Sequence, residues 1–170
     1  SFPTRRSSDL VVVEQLNTGD QIAVERDCSQ LSQLLCLFLS GSKYYHHAIF
    51  YRENSSDRVI EFWAETSNKR EARVRTRSIR EFIGNSRQLY RVVHENYLSV
   101  EETMRLAQEA LEGENPPQSY DVIYNNCETF ATYLKTGVAH SQQVSSALVW
   151  NLSILLGSAA IVGYLFYRNK

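Results

Sequence analysis

Residues 125–137 of the chain read NNCETFATYLKTG, and this stretch predicts a short helix with a cysteine at its start. Asn126 is one of the residue types that cap a helix N-terminus, and the stretch ends on glycine, the usual residue just after a helix. Cys127 would then be the first residue of the helix. Cys127, Phe130 and Leu134 share one face at helical spacing, so the sulfur is expected to face the protein interior.

A cysteine at the first position of a helix lies beside backbone N–H groups that have no partner within the helix. These groups and the positive end of the helix dipole stabilise a thiolate, and they can hold the oxyanion that forms when a carbonyl is attacked. Cys127 is therefore a candidate nucleophile, with Asn126 supporting the helix start and the oxyanion. The alternative is that Cys127 is a small buried apolar residue without a chemical role.

A thiol nucleophile needs a base, and the chain has four histidines, at positions 46, 47, 94 and 140. His46 and His47 open the apolar stretch HHAIFY, which predicts a strand. Because consecutive side chains of a strand point to opposite faces, only one of these two can face the Cys127 helix. A single histidine at the start of a strand is also commonly structural.

The remaining patterns predict an α+β domain with an antiparallel sheet and packed helices. Apolar, aromatic-rich runs on either side of residues 53–57 predict a hairpin. Ser99 is followed three residues later by Glu102, which predicts a capped helix that ends at Gly113. Strands are expected at residues 21–24, 47–51, 59–64, 72–77 and 89–93.

The composition excludes several classes of function. The 170 residues include 18 Lys and Arg against 19 Asp and Glu, for a net charge of −1, so there is no basic excess for binding nucleic acid. The three cysteines, Cys28, Cys36 and Cys127, form no CxxC pair. A disulfide framework or a four-ligand zinc site is therefore not expected. We expect a reduced domain that faces the cytosol.

Both ends of the chain differ in character from its centre. Residues 1–10, SFPTRRSSDL, have no apolar core, so we expect a leader, tag or artefact outside the fold rather than a signal peptide. Residues 147–167 carry no charge and predict a C-terminal membrane helix, with an amphipathic or buried terminal helix as the alternative. Residues 29–39 predict a buried or membrane-touching helix. The expected location is an intracellular membrane, with a single-pass C-terminal anchor.

Residues 69–81 carry six basic side chains against two acidic ones. Within this segment Arg73, Arg75 and Arg77 alternate along a predicted strand, so they share one face. The segment predicts either a surface for anionic lipid headgroups or a solvated strand face.

These motifs resemble the lecithin retinol acyltransferase family, which includes the small phospholipase A/acyltransferases. The stretch NNCETF at 125–130, with Tyr120 upstream and YLKTG downstream, resembles the family's cysteine motif. HHAIFY at 46–51 resembles its early histidine strand, and GVAHSQQV at 137–144 resembles the linker to its C-terminal anchor. The likeness covers about residues 16–170.

The resemblance implies a circularly permuted papain-like α+β fold in residues 14–140, followed by a transmembrane helix. It also implies that His46 is the general base for Cys127. Glu61 stands where the family commonly has a histidine that orients the base, and a carboxylate can serve that purpose. Thr129 is a second departure, because the family usually has histidine there.

The function implied by the resemblance is a membrane-anchored thiol acyltransferase or phospholipase A. It would act on glycerophospholipid esters through an acyl-thioester on Cys127, with phospholipid and membrane as partners, and with no metal or organic cofactor. Two alternatives stay open from the sequence. One is a permuted papain-like isopeptidase, which also places histidine before cysteine, and the other is a catalytically weak, membrane-tethered binding protein.

Overall fold

The computed structural model describes residues 6–27, 43–63, 72–113 and 126–140. These residues form an α+β arrangement of one six-stranded sheet and three helices. The strands are β1 (Arg6–Val11), β2 (Gln21–Asp27), β3 (Lys43–Glu53), β4 (Ser56–Trp63), β5 (Arg73–Ser78) and β6 (Leu89–His94). The helices are α1 (Ile79–Ile83), α2 (Val100–Glu112) and α3 (Cys127–Thr136), and a short 3₁₀ turn spans Val13–Gln15. The strand order is β1-β6-β2-β3-β4-β5, and every neighbouring pair is antiparallel. The expected α+β class and antiparallel sheet are confirmed.

The hairpin of β3 and β4 turns on Asn54 and Ser55, which both have positive φ. A two-residue turn of this kind follows the right-handed twist of the flanking strands, and asparagine tolerates the left-handed region well. The predicted hairpin is therefore confirmed. Its paired register runs from Glu53 opposite Ser56 to Ile49 opposite Ile60. Both strands continue beyond the Ile49–Ile60 pair, but the described residues there are no longer paired with each other.

Both faces of the sheet bury apolar side chains, so the central strands contain short apolar runs, such as residues 22–24 and 48–50. One face packs against α1, and its buried cluster is Val11, Leu16, Ile22, Val24, Ala48, Phe50, Val59, Ile79, Phe82 and Leu89. The other face packs against α2 and α3, and its buried cluster is Ile49, Ile60, Phe62, Ala107, Ala110, Phe130, Ala131 and Leu134. We call these the α1 face and the α3 face of the sheet.

Both predicted helices begin and end where their caps indicate. The side chain of Ser99 accepts a hydrogen bond from the Glu102 N–H at the start of α2, and α2 ends at Gly113. At the start of α3 the side chain of Asn126 accepts from the Thr129 N–H at 2.9 Å. Gly137 ends α3 in the left-handed conformation, with φ of 75°, which glycine adopts without steric cost.

The structure corrects the expectation for the first ten residues. Arg6–Val11 forms the edge strand β1, which pairs with β6 from Arg6 opposite His94 to Val11 opposite Leu89. The stretch RSSDLV has no apolar alternation, because an edge strand is held by backbone hydrogen bonds to a single neighbour and needs little burial. The expectation that residues 1–10 lie outside the fold is therefore wrong for residues 6–10.

Two of the predicted helices, at residues 29–39 and 147–167, lie outside the described residues, as do Cys28 and Cys36. Within the four described segments, no helix is long and apolar enough to cross a membrane. The longest of them is α2, with 13 residues.

Candidate active site

Cys127 is the first residue of α3, and its side chain is almost fully buried. The Asn126 cap fixes the first turn of the helix, so it also fixes the backbone from which the sulfur projects. The sulfur lies 4.0 Å from the carbonyl oxygen of Tyr45 on β3. The N-terminus of α3 thus lies beside the part of β3 that continues past the last pair between β3 and β4.

His46, the next residue of β3, is the group that meets the sulfur. Charge and hydrogen bonding from the Cys127 side chain both raise the pKa of His46, which places its imidazole beside the sulfur. Its Nε2 lies 2.7 Å from Oε2 of Glu61 on β4. Because Nε2 is occupied by the carboxylate, Nδ1 is the nitrogen left to exchange a proton with sulfur. Cys127, His46 and Glu61 therefore form one row of contacts.

Glu61 is fully buried and accepts hydrogen bonds at both carboxylate oxygens. Oε2 is used by His46, while Oε1 receives the Nε–H of Arg75 at 2.8 Å. Arg77 lies farther away, with Nη1 at 3.5 Å from the same Oε1. A buried carboxylate is tolerated only when it is paired in this way.

The electrostatics of the row favour a charged imidazole and an ionised carboxylate. Burial lowers the pKa of His46, but attraction and hydrogen bonding to Cys127, together with the hydrogen bond that His46 donates to Glu61, outweigh burial and raise the pKa to about 9. Burial raises the pKa of Glu61, but its contacts with His46 and Arg75 outweigh burial and hold the pKa below its usual value. The contacts of the row thus favour an imidazolium at His46 beside the carboxylate anion of Glu61.

Aromatic rings enclose the imidazole of His46. The centroid of the Trp63 ring is 4.7 Å from that of His46, and the centroid of Phe82 on α1 is 5.4 Å away. These rings exclude water from the His46–Glu61 contact, and a low local dielectric strengthens the interaction between the two charges.

The sequence was also compared with models of known protein families. A family model described as lecithin retinol acyltransferase matches residues 14–140 of the chain. The chain belongs to the lecithin retinol acyltransferase family. Membership indicates an acyltransferase- or phospholipase-type function on lipid substrates. No individual curated protein matches the chain.

The two adjacent histidines of the HHAIFY stretch lie on opposite faces of the sheet, as predicted from strand geometry. His46 shares the α1 face with Ala48 and Phe50, while His47 lies on the α3 face with Ile49. The histidine that faces the body of α3 is therefore His47, not His46. Cys127 is at the start of α3, beside the part of β3 that is no longer paired with β4. His46 lies in that part of β3, so it reaches the sulfur although its side chain is on the α1 face.

A second buried polar cluster lies on the α3 face and was not predicted. The amide of Gln21 on β2 donates to Oγ1 of Thr132 on α3 at 3.2 Å and lies 3.3 Å from Nδ1 of His47. Its carbonyl oxygen lies 2.7 Å from Nε2 of His94. This cluster ties α3 to three strands. In the described parts of the chain, no three His, Cys, Asp or Glu side chains are grouped so that they could hold a metal ion.

Two arginines of the segment 69–81 have a contact that neither prediction included. Arg75 and Arg77 are partly buried and turned toward Glu61, whereas Arg73 and Arg80 are exposed. The contact of Arg75 with Glu61 was not predicted, because it depends on the pairing of β4 with β5, which places Arg75 directly opposite Glu61. Thr129, the other departure from the family pattern, takes part in the helix cap through its N–H.

Proposed function

We propose that the chain is a thiol acyltransferase or phospholipase A that cleaves glycerophospholipid esters through an acyl-thioester on Cys127. His46 is the general base, and Glu61 orients it. The observation that carries the proposal is the buried row of contacts from Cys127 through His46 to Glu61, in a chain whose family acts on lipid substrates. A nucleophile, a base and an anion that orients the base are the three parts that such chemistry requires.

The first half-reaction forms the thioester. Nδ1 of His46 takes the proton of the Cys127 thiol, and the sulfur forms a bond to the carbonyl carbon of the ester. The bond from that carbon to the glycerol oxygen then breaks. The imidazolium gives its proton to the departing oxygen, so the first product is a lysophospholipid with a free hydroxyl group.

The second half-reaction releases the acyl group. His46 takes a proton from water, an amine or an alcohol, and the oxygen or nitrogen of that acceptor bonds to the carbonyl carbon. The bond from carbon to sulfur breaks, and the proton returns from His46 to the Cys127 sulfur. Water gives a fatty acid, an amine gives an amide, and an alcohol gives an ester.

The charge that develops on the carbonyl oxygen needs donors that are already in place. The N–H of Cys127 belongs to the first turn of α3, where the helix itself offers no acceptor. Asn126 holds this turn through its bond to Thr129. The proposal therefore places the oxyanion at the start of α3, where the dipole of the helix also favours negative charge.

The order of these groups along the chain supports a circularly permuted papain-like arrangement as part of the proposal. The base lies on β3, and the nucleophile follows much later, at the start of α3. A matching order of histidine and cysteine is what the family resemblance implies.

The thioester itself is the sharpest test of the proposed function. After incubation of the full chain with phosphatidylcholine vesicles and an acid quench, mass spectrometry is expected to show one acyl chain on the peptide that contains Cys127. Cys127→Ala is the control and should carry no adduct. Lipid products formed without an adduct on Cys127, or an adduct confined to Cys28 or Cys36, would contradict the proposal.

We also propose that residues 147–167 anchor the enzyme in an intracellular membrane with the catalytic domain toward the cytosol. The support is the uncharged sequence of this segment, flanked by Arg168 and Lys170. At about 1.5 Å per helical residue, it is long enough to cross a hydrocarbon core of about 30 Å.

Deletion of residues 147–170 is expected to release the protein from membranes. Turnover of detergent-dispersed phospholipid should stay within about twofold of the parent, because a tether raises the local concentration of substrate and adds no reacting group. Membrane fractionation and an assay on dispersed substrate measure the two effects. A truncated protein that still sediments fully with membranes would assign the anchoring to another segment, such as residues 29–39.

A further inference from the structure

The pairing of β4 and β5 places an arginine beside the anion of the candidate site. Glu61 and Arg75 are directly opposite in the register, on the side of β4 that is away from β3. Both residues are on regular strands, so their backbones are held by the ladder. Nε of Arg75 donates to Oε1 of Glu61 at 2.8 Å, and its side chain is 19% exposed.

The carboxylate of Glu61 is divided between two donors. Its Oε2 faces His46 and its Oε1 faces Arg75, so the arginine sets the rotation of the carboxylate about its own axis. A carboxylate with only one donor can turn or can accept a proton, and either change removes the anion from its place beside the imidazole. A buried anion that loses one partner is strongly destabilised.

We propose that Arg75 is a positioning residue for the Cys127–His46 pair. It holds Glu61 in the orientation that serves His46, and it keeps Glu61 ionised in a site closed to water. This inference rests on the proposed acyl transfer for its catalytic meaning, but the charge coupling that it describes exists in the protein without any substrate.

Arg75 also contacts Trp63, an aromatic neighbour of the His46 imidazole. Its guanidinium carbon lies 5.8 Å from the centroid of Trp63, and the Trp63 ring lies 4.7 Å from His46. A guanidinium over an aromatic face is attracted to it, so this contact helps to hold Trp63 in position. Arg77 has a longer contact with Glu61, at 3.5 Å, and its side chain is 28% exposed. Arg75 is therefore the stronger partner of Glu61.

Other charged and titratable groups face this carboxylate and histidine from the neighbouring elements. They are Arg26 on β2, Arg75 and Arg77 on β5, and Cys127 on α3, while Tyr44 on β3 faces Arg26 and Glu81 on α1 faces Arg75 and Arg77. Arg26 donates to the carbonyl oxygens of Ile83 and Phe82, so its own hydrogen bonds go elsewhere. Arg26 and Arg77 still contribute charge, and the loss of Arg75 alone is therefore expected to have a moderate effect.

The sign of the effect follows from the distances. Removal of the positive charge at Arg75 makes Glu61 easier to protonate, and protonation of Glu61 removes the anion that stabilises the imidazolium of His46. The same change also removes a direct repulsion between Arg75 and the imidazolium. That opposing effect is smaller, because Arg75 is in hydrogen-bond contact with Glu61 and not with His46. The rate of a reaction that needs the thiolate–imidazolium pair rises with pH where the thiolate forms, and we call this rise the acid limb. Without a stable imidazolium beside it, the thiol forms its thiolate only at higher pH, so the acid limb should move to higher pH.

The experiment measures alkylation of Cys127 by iodoacetamide as a function of pH, in a Cys28→Ala/Cys36→Ala background. In Arg75→Gln the acid limb is expected to move upward by up to about one pH unit, because the loss of an arginine changes the pKa of an adjacent carboxylate by about one to three pH units and only part of that change reaches the thiol. Arg75→Lys keeps the charge and should retain the parental acid limb. Arg80→Gln, an exposed arginine on α1, is the matched control and should behave as the parent.

Turnover of phosphatidylcholine gives the catalytic readout. In Arg75→Gln kcat is expected to fall about ten- to a hundredfold, with KM unchanged, because the inference gives Arg75 a role in positioning Glu61 and none in binding the substrate. Thermal unfolding of each variant shows whether a loss of activity comes from unfolding. If Arg75→Gln does not fold, the test relies on Arg75→Lys.

A parental acid limb in folded Arg75→Gln would overturn the inference, as would an equal shift in Arg80→Gln. If the parent protein turns over no phospholipid but the acid limb still moves in Arg75→Gln, the proposed substrate is wrong and the charge coupling stands. If the parent is active and the acid limb does not move, the proposed function stands and the role of Arg75 is wrong.

Discussion

Cys127→Ala is expected to abolish turnover of phospholipid, with a loss of at least about a thousandfold, as for other nucleophiles that act in a unit with their base. The fold should remain, because the substitution replaces a small buried side chain by a slightly smaller apolar one. Release of fatty acid or lysophospholipid measures the first effect, and circular dichroism with thermal unfolding measures the second.

Cys28→Ala and Cys36→Ala are the matched controls for this change. Neither cysteine lies in a sequence motif that activates sulfur, so both variants should keep parental activity. Equal activity in Cys127→Ala and the parent would end the thiol mechanism. Strong inactivation of either control variant without unfolding would mean that a different cysteine is the nucleophile.

Glu61→Gln is expected to lower kcat/KM by roughly ten- to a thousandfold. The amide keeps the shape of the side chain but removes the negative charge that raises the pKa of His46. In a serine protease triad, the corresponding acid-to-amide change costs about four orders of magnitude. A smaller loss is expected here, because the start of α3 also stabilises the thiolate.

The pH dependence gives Glu61→Gln a second readout. With the carboxylate gone, the pKa of His46 should fall, and the thiolate–imidazolium pair should occupy a narrower range of pH. Glu61→His supplies a hydrogen-bond partner but leaves Arg75 and Arg77 beside a group that cannot neutralise them, so it should recover only part of the activity. Parental rates in Glu61→Gln from about pH 5 to 8, the range in which histidine titrates, would show that Glu61 has no part in the reaction.

Much of the fold was predictable because local signals and tertiary packing agree in it. Asn126 and Gly137 mark both ends of α3, and the polar residues 53–57 mark the hairpin of β3 and β4. The missed elements have weak local signals. The strand β1 is polar and lies at the sheet edge, and α1 has only five residues, too few to show helical periodicity. Its remaining signal was the capping box in which Ser78 and Glu81 bond reciprocally.

The candidate site was predictable to the extent that it follows from motifs. Cys127 follows from the helix cap, while His46 and Glu61 follow from the family resemblance. Arg75 was not identified, because its role depends on which residue of β4 it faces, and that register is a property of the assembled sheet. The alternation of the arginines indicated that they share a face, but an alternating pattern does not say whether the face meets water or a buried anion.

The parting of β3 and β4 beyond Ile49 and Ile60 has a consequence for the newly made protein. The proposed base and the proposed orienting acid are separated by only 15 residues on one hairpin, so they can meet early during synthesis. The nucleophile belongs to the opposite layer, and 82 residues separate it from the carbonyl that it meets on β3. It reaches its partners only after α3 has docked on the finished sheet. In a chain whose α3 has not yet packed on the sheet, the Cys127 thiol is therefore not in contact with the proposed base.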